Sequence, residues 1–391
     1  MPDTERPIDA DNHYYEPRDF CTRHIEPRFR DRAVRVADDD RVWIGDRPFT
    51  FLANWSFDRS TRPGALRDLL RAKKYAEAGE SESSHVEDIQ PAYRNRDARI
   101  EKMDEQGLDA ALLFPTVGVC LEHFMKDDTE QLYANLRAFN TWLAEDWGYA
   151  YQDRIYAVPM LSLVDLDRAV TELDLLLAEG ARVVSLRPGP AAGRSPADPY
   201  FDPFWSRLNE AGVPVAYHIG ESGYNEMVSV HWGQEANPSS HLQSAFQWTC
   251  MYGDRPIMDT IADLIFGNLF GRFENLNVLS VENGSLFVPY LMRVMDKMGG
   301  MGRNGPWPGR RITEKPSAIL RRHVFVSPYH EEDVEALVSE IGASQVLFGS
   351  DYPHAEGMAD PVAFEETIAG LPDDQRQQVM RGNTARLLGR A

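Results

Sequence analysis

One regularity constrains this chain more than any other: short apolar runs alternate with helical stretches, and most of the runs end in polar residues. The runs occupy residues 8–11, 110–114, 155–161, 182–186, 214–218, 277–281, 324–327 and 346–349. Several are rich in Val, Ile and Leu without strict alternation, as strands buried on both faces of a parallel sheet are. Helical patterns at 97–106, 129–147, 166–178, 201–211, 259–266, 331–341 and 361–371 separate them, and Gly107, Gly180, Gly212, Gly267 and Gly342 supply stops. Eight such units are the count of a (β/α)8 TIM barrel, and 391 residues can be used as one such domain. A doubly wound open sheet wants a glycine-rich turn after its first strand, whereas Asp11-Asn12-His13-Tyr14-Tyr15-Glu16-Pro17 contains no glycine. The expected fold is α/β: a distorted barrel spanning 1–391 with long insertions after strand 1 (18–95) and strand 5 (219–256). Loops of that length over a barrel mouth read as lids or interface arms. The first insertion is expected to hold short strands at 42–44 and 49–51 and a solvated acidic stretch at 77–88.

Charge removes several function classes. Asp and Glu total 61 against 41 Lys and Arg, a formal net charge of −20. Nucleic-acid binding needs a basic face, and anionic membranes recruit basic segments, so neither partner is expected. The start lacks an apolar leader and no apolar run approaches a membrane span. Cys21, Cys120 and Cys250 are odd in number and widely spaced, which reads as a reducing, cytoplasmic setting without disulfides.

The polar ends of the runs are where a barrel places its chemistry. The first ends in Asp11-x-His13, the fifth in His218, the sixth in Glu282-Asn283-Gly284, the seventh in Tyr329-His330 and the eighth in Asp351-Tyr352-Pro353-His354. Asp11 and His13, two apart on a strand, share a face. With His218 and Asp351 they form a mixed N/O set suited to one divalent cation with positions open to water and substrate. Any one of the four could be polar filler; four at aligned strand ends point to a site.

These residues also carry a family resemblance. The opening Asp-Ala-Asp-Asn-His-Tyr-Tyr-Glu-Pro at 9–17, Glu282-Asn-Gly followed by Pro289-Tyr290, Gly349-Ser-Asp-Tyr-Pro-His-x-Glu-Gly357 and the closing Asn383-Thr-Ala-Arg-Leu-Leu-Gly389 occur in order. Together they resemble the amidohydrolase-related family of the amidohydrolase superfamily, which includes aminocarboxymuconate-semialdehyde decarboxylase, γ-resorcylate decarboxylase, hydratases and C–C hydrolases. The resemblance implies a barrel with one divalent metal held by Asp11, His13, His218 and Asp351, the last also shuttling a proton. Zn²⁺ is expected first. The Asp-x-His motif in place of His-x-His hardens the site and admits Mn²⁺ or Mg²⁺. Decarboxylases of the family usually carry His-x-Gly after the sixth strand, and this chain has Glu282-x-Gly284.

That substitution moves the expectation towards hydrolysis of a small carboxylate-bearing or ring-like substrate by an activated water, with Asp351 or Glu282 as base. The alternatives are non-oxidative decarboxylation of an aromatic or enol carboxylic acid, and hydration; a metal-binding barrel without activity is the reading from another class. Glu282 is alternatively a partner that orients His218 or Arg187. Arg187 reads as a carboxylate anchor, His330, His354 and Tyr14 as substrate contacts, and His241 as a further acid or base from the fifth loop. His231 shares that loop, and Glu16 is expected behind the first motif. Tyr15, Phe114, Trp232 and Trp248 are aromatic candidates for a pocket wall, with core packing or an interface as the bland reading of Trp248. A homodimer or higher homo-oligomer is expected from the two insertions.

Overall fold

The computed structural model describes residues 6–52, 56–74 and 85–390. Seven parallel strands follow the apolar runs: β1 (Ile8–Tyr14), β2 (Ala110–Pro115), β3 (Ile155–Ala157), β4 (Val184–Ser185), β5 (Val215–His218), β6 (Val278–Val281) and β7 (Val324–Ser327). They hydrogen-bond in two sheets, β1-β2-β3 and β4-β5-β6-β7. Single parallel contacts close the ring. Leu161 N donates to Ser185 O (2.9 Å) between the third and fourth staves, and Leu347 N donates to Val326 O (2.8 Å) beyond β7. Ala10 N then donates to Phe348 O (2.8 Å), and His13 N to Tyr352 O (2.7 Å), joining the eighth stave to β1. The fold is the expected (β/α)8 barrel. Its eighth run, however, is an extended segment held at a few points rather than a laddered strand.

A bulge in β1 explains the interrupted ladder. The β1–β2 register slips between Asp9 and Asn12, so two residues stand where the partner has one. Ile8 and Ala10 line the apolar barrel interior with Leu112, Phe114, Leu279 and Val281. Strict alternation would then turn Asp11 and His13 outward; the extra residue resets the parity and both face inward. Asp9 stabilises the bulge, accepting from Asp11 N (3.1 Å), Asn12 Nδ2 (2.9 Å) and Ser350 N (3.0 Å). Gly349 completes the fit, because a Cβ there would lie 2.2 Å from Ser327 Oγ and 2.6 Å from Asp11 Cβ.

Helices form where the pattern places them, at Arg96–Glu105, Thr129–Asp146, Leu166–Ala178, Asp202–Ala211, Asp254–Phe266 and Val334–Ile341. Side-chain caps fix several starts, as when Asp165 accepts from Arg168 N (3.0 Å). The stretch at 361–371 is instead a 3₁₀ turn, Pro361–Ile368, and two further amphipathic helices, Phe287–Met301 and Pro316–His323, add to the outer layer.

The first insertion carries an antiparallel sheet of Val34–Val36, Val42–Ile44 and Arg47–Pro48 and a pair of Arg59–Thr61 with Val86–Asp88. The expected strand at 49–51 is absent: the pairing stops at Arg47–Pro48 and a turn follows at 51–52, with Phe49 and Phe51 buried in the core. Much of the acidic stretch at 77–88 lies outside the described residues. Among them, no helix is long and apolar enough to cross a membrane. The fifth loop exposes Trp232 and Leu242, and Trp248 is also exposed, stacked edge-on against Tyr252.

Candidate active site

Six side chains from four staves converge at the carboxyl-terminal mouth. Ligand-capable atoms of Asp11, His13, His218 and Glu282 all lie within 4.8 Å of one another, as do those of His13, Glu282, Asp351 and His354. His13 Nε2 is the hub, 3.4 Å from Asp11 Oδ1, 3.4 Å from Asp351 Oδ1 and 3.1 Å from His218 Nε2. His218 Nε2 stands 3.5 Å from Asp11 Oδ1 and 3.2 Å from Glu282 Oε2. Phe114 flanks both imidazoles, with its ring centroid 4.9 Å from that of His218 and 6.2 Å from that of His13.

Hydrogen-bond accounting shows what this cluster requires. His218 Nδ1 lies 2.7 Å from Ile219 O. A carbonyl only accepts, so Nδ1 carries the proton and Nε2 presents a lone pair inward. Asp11 Oδ1 is buried and has no hydrogen-bond partner. The lone pair of His218 Nε2 thus faces oxygens of Asp11 and Glu282 across 3.5 Å and 3.2 Å, an arrangement that repels unless a cation or a proton sits between them. The residues fit a divalent cation, with Asp11, His13, His218 and Asp351 as its expected holders. Burial opposes ionisation of Asp11, but the two imidazoles outweigh it and hold its carboxyl below the ordinary range. Burial, reinforced by neighbouring carboxylates, pushes Asp351 and Glu282 well up.

Glu282 reaches the cluster through its backbone. Leu279 and Val281 face the barrel interior, so the next residue should point away. Glu282 instead has φ +54°, a left-handed conformation uncommon outside Gly, Asn and Asp and frequent at functional sites. Tyr329 Oη donates to Glu282 O (2.9 Å), and Asn283 Nδ2 donates to Tyr217 O (2.8 Å) and Val281 O (2.9 Å). Asp351, at φ +55°, is similarly turned.

A proton is built into the other side. Thr116 Oγ1 donates its only hydrogen to Tyr14 O (2.7 Å) and therefore accepts from His354 Nε2 (3.0 Å). His354 Nδ1 then meets Asp351 Oδ1 at 2.6 Å. With Nε2 already protonated, that contact is a hydrogen bond only if the pair holds a second proton, either on the imidazole or on the carboxyl.

Supporting groups come from places the sequence did not mark. The buried Arg99 guanidinium donates to Ala92 O (2.7 Å), His13 O (2.7 Å) and Asn12 Oδ1. Burial lowers it to about 10. Glu16 sits behind the first motif as expected, accepting from Val117 N and Gly118 N, both at 2.9 Å.

Three expected contacts are corrected. Tyr14 follows His13 and so faces the opposite side of β1, fully buried against Trp142 and Trp147. Its hydroxyl has no hydrogen-bond partner. Tyr14→Phe is therefore expected to keep activity and lose no stability, checked by thermal melting beside an activity assay. His241 is exposed, because Ser240 N donates to Phe51 O (2.8 Å) and fixes that turn on the first insertion. His330 pairs at its rim position with Glu331 (3.5 Å), outside the cluster. Arg187 lines a narrow, mostly apolar pocket with His218, Leu161, Leu186 and Met160. Its guanidinium is held by Ser222 O, by Pro190 O (3.3 Å) and by Glu122 (3.5 Å), which leaves Nε as the donor without a hydrogen-bond partner.

The amidohydrolase family model matches residues 8–390. The chain belongs to the amidohydrolase family. It is an enzyme of that superfamily, and its barrel and mouth cluster agree. A solved amidohydrolase from Mycobacterium avium subsp. paratuberculosis K-10 is 39% identical, with a TM-score of 0.86 over 98% of this chain and 99% of that one. A 5-carboxyvanillate decarboxylase from Novosphingobium aromaticivorans DSM 12444, complexed with manganese and 4-hydroxy-3-methoxy-5-nitrobenzoic acid, shares the fold at 17% identity and a TM-score of 0.63, covering 99% and 97% of the two chains. A 2-amino-3-carboxymuconate-6-semialdehyde decarboxylase of Dictyostelium discoideum is 23% identical over 58% of this chain. The match spans 57% of that relative's length.

Proposed function

We propose that this amidohydrolase-family enzyme is a metal-dependent decarboxylase of a small aromatic or enolic carboxylic acid. The observation that carries the reading is the 2.6 Å contact between Asp351 Oδ1 and His354 Nδ1, which requires a shared proton once Thr116 has taken the imidazole's other one. Loss of CO₂ breaks a C–C bond and leaves its electron pair on carbon, so the site must deliver a proton to that carbon. The Asp351–His354 pair is positioned to do so, and the Thr116 hydroxyl keeps the imidazole oriented by accepting from Nε2. A divalent cation held by Asp11, His13, His218 and Asp351 would supply positive charge that stabilises the electron density developing on the substrate. The narrow pocket beside His218 gives the cluster an apolar wall on one side. The activities named for the Dictyostelium and Novosphingobium relatives support the same reading.

Hydrolysis is the second reading, and the inward carboxylate of Glu282 favours it, since it could take a proton from water. One comparison separates the two. The purified enzyme, loaded with Mn²⁺ or Zn²⁺, is offered hydroxybenzoates and enolic acids, and separately esters, lactones and β-diketones. CO₂ release from the first set is expected. Cleavage of the second set with no CO₂ from the first would reject decarboxylation.

A further inference from the structure

We infer that Glu282 is itself a ligand of the divalent cation, and that this third carboxylate biases the site towards a Mn²⁺-like ion rather than Zn²⁺. The inference rests on the reading that a divalent cation occupies the cluster. Glu282 Oε2 lies 3.2 Å from His218 Nε2 and 3.9 Å from His13 Nε2, and its carboxylate belongs to both four-residue groups of ligand-capable atoms.

A mere orienting role does not account for this position. As a carboxylate it cannot orient His218 by accepting from Nε2, because that imidazole's proton is on Nδ1, donated to Ile219 O; the facing lone pairs call for a cation, or else a proton on Glu282, between them. Orienting Arg187 is excluded by that guanidinium's own partners, Ser222, Pro190 and Glu122. Among the described residues the ion-pair partners of the Glu282 carboxylate are the two inward imidazoles alone. The turn is also held in a strained backbone conformation by Tyr329 and Asn283, and strain of this kind persists when the surrounding structure over-determines it.

Ligand chemistry gives the consequence. Imidazole-rich sites suit Zn²⁺, whereas carboxylate-rich sites with room for more oxygens suit Mn²⁺ and Mg²⁺. Asp11, Asp351 and Glu282 against His13 and His218 shift the balance to oxygen.

The test is direct metal binding, independent of turnover. Chelator-stripped wild-type and Glu282→Gln proteins are titrated with Mn²⁺ and Zn²⁺ by calorimetry, and their melting is followed with and without each ion. Glu282→Gln is expected to lose about 10- to 100-fold in Mn²⁺ affinity, the scale of losing a group that tunes a metal site. It should lose less for Zn²⁺, so the Zn²⁺-to-Mn²⁺ affinity ratio widens. Without metal the variant should melt at or above the wild-type temperature, because a buried carboxylate crowded by Asp11 and Asp351 has gone; the Mn²⁺-induced rise should shrink. Glu282→Asp, which keeps the charge on a shorter arm, should recover part of the Mn²⁺ affinity. Mn²⁺ affinity within twofold of wild type in Glu282→Gln, or an unchanged ratio, overturns the inference. Wild-type protein that binds neither ion would instead overturn the metal-centre reading beneath it.

Discussion

Asp351→Asn is expected to lower kcat by about 10²- to 10⁴-fold, the usual worth of a positioned proton donor, in protein that is folded and measured at saturating metal. The amide keeps the shape of the carboxyl but cannot pass the proton shared with His354 Nδ1 across their 2.6 Å contact. It also removes a carboxyl oxygen 3.4 Å from His13 Nε2 that would hold the metal, so metal content must be measured on the same sample. A loss in kcat that persists when the metal site is full assigns the proton to this pair. Turnover within tenfold of wild type under those conditions would remove Asp351 from the chemistry. Thr116 acts one step back, through His354, and its loss should cost less than that of Asp351.

Arg99→Ala should cost at least about 4 kcal/mol of stability. The guanidinium is buried, and its removal strands three buried acceptors, Ala92 O, His13 O and Asn12 Oδ1. Each buried acceptor left unpaired costs about 1–3 kcal/mol. The cation also lies over the faces of Trp147 (5.7 Å) and Tyr352 (5.5 Å), so a cavity opens between two aromatic walls. Arg99→Lys is expected to rescue little, because an ammonium cannot reproduce a planar fork serving three separate acceptors. Urea denaturation of the metal-free proteins checks this, and a loss below about 1 kcal/mol would show that the acceptors find other donors. Because His13 O is one of the three, the same variant should bind metal more weakly.

The order of barrel and site was legible in the residues, and the reason is local. An apolar run long enough for a stave, closed by a polar residue, places that residue at a barrel mouth whatever the helices do. Asp11, His13, His218 and Asp351 stand at such ends; the structure gathers Asp11, His13 and His218 within 4.8 Å of one another, and Asp351 joins them through His13. The i, i+2 spacing of Asp11 and His13 was the right signal. The same rule, carried one residue further, turns Tyr14 to the other face, where it lies against Trp142 and Trp147.

What the residues by themselves determined was the number of staves, their parallel order and the polar groups at their ends, since these follow from chain-local periodicity. Direction and pairing were decided by tertiary structure. The β1 bulge that turns Asp11 inward depends on Asp9 meeting Ser350 from the far end of the chain. The inward aim of Glu282 depends on a left-handed φ held from β6's neighbour by Tyr329. Arg99 reaches the site from a helix whose sequence carries no mark of it, whereas Thr116 closes the second apolar run and obeys the same strand-end rule as the cluster. His241, attractive in a loop of unknown path, is turned to solvent by backbone contact with the first insertion. Each is a contact between residues far apart in sequence, and only packing in three dimensions sets such contacts.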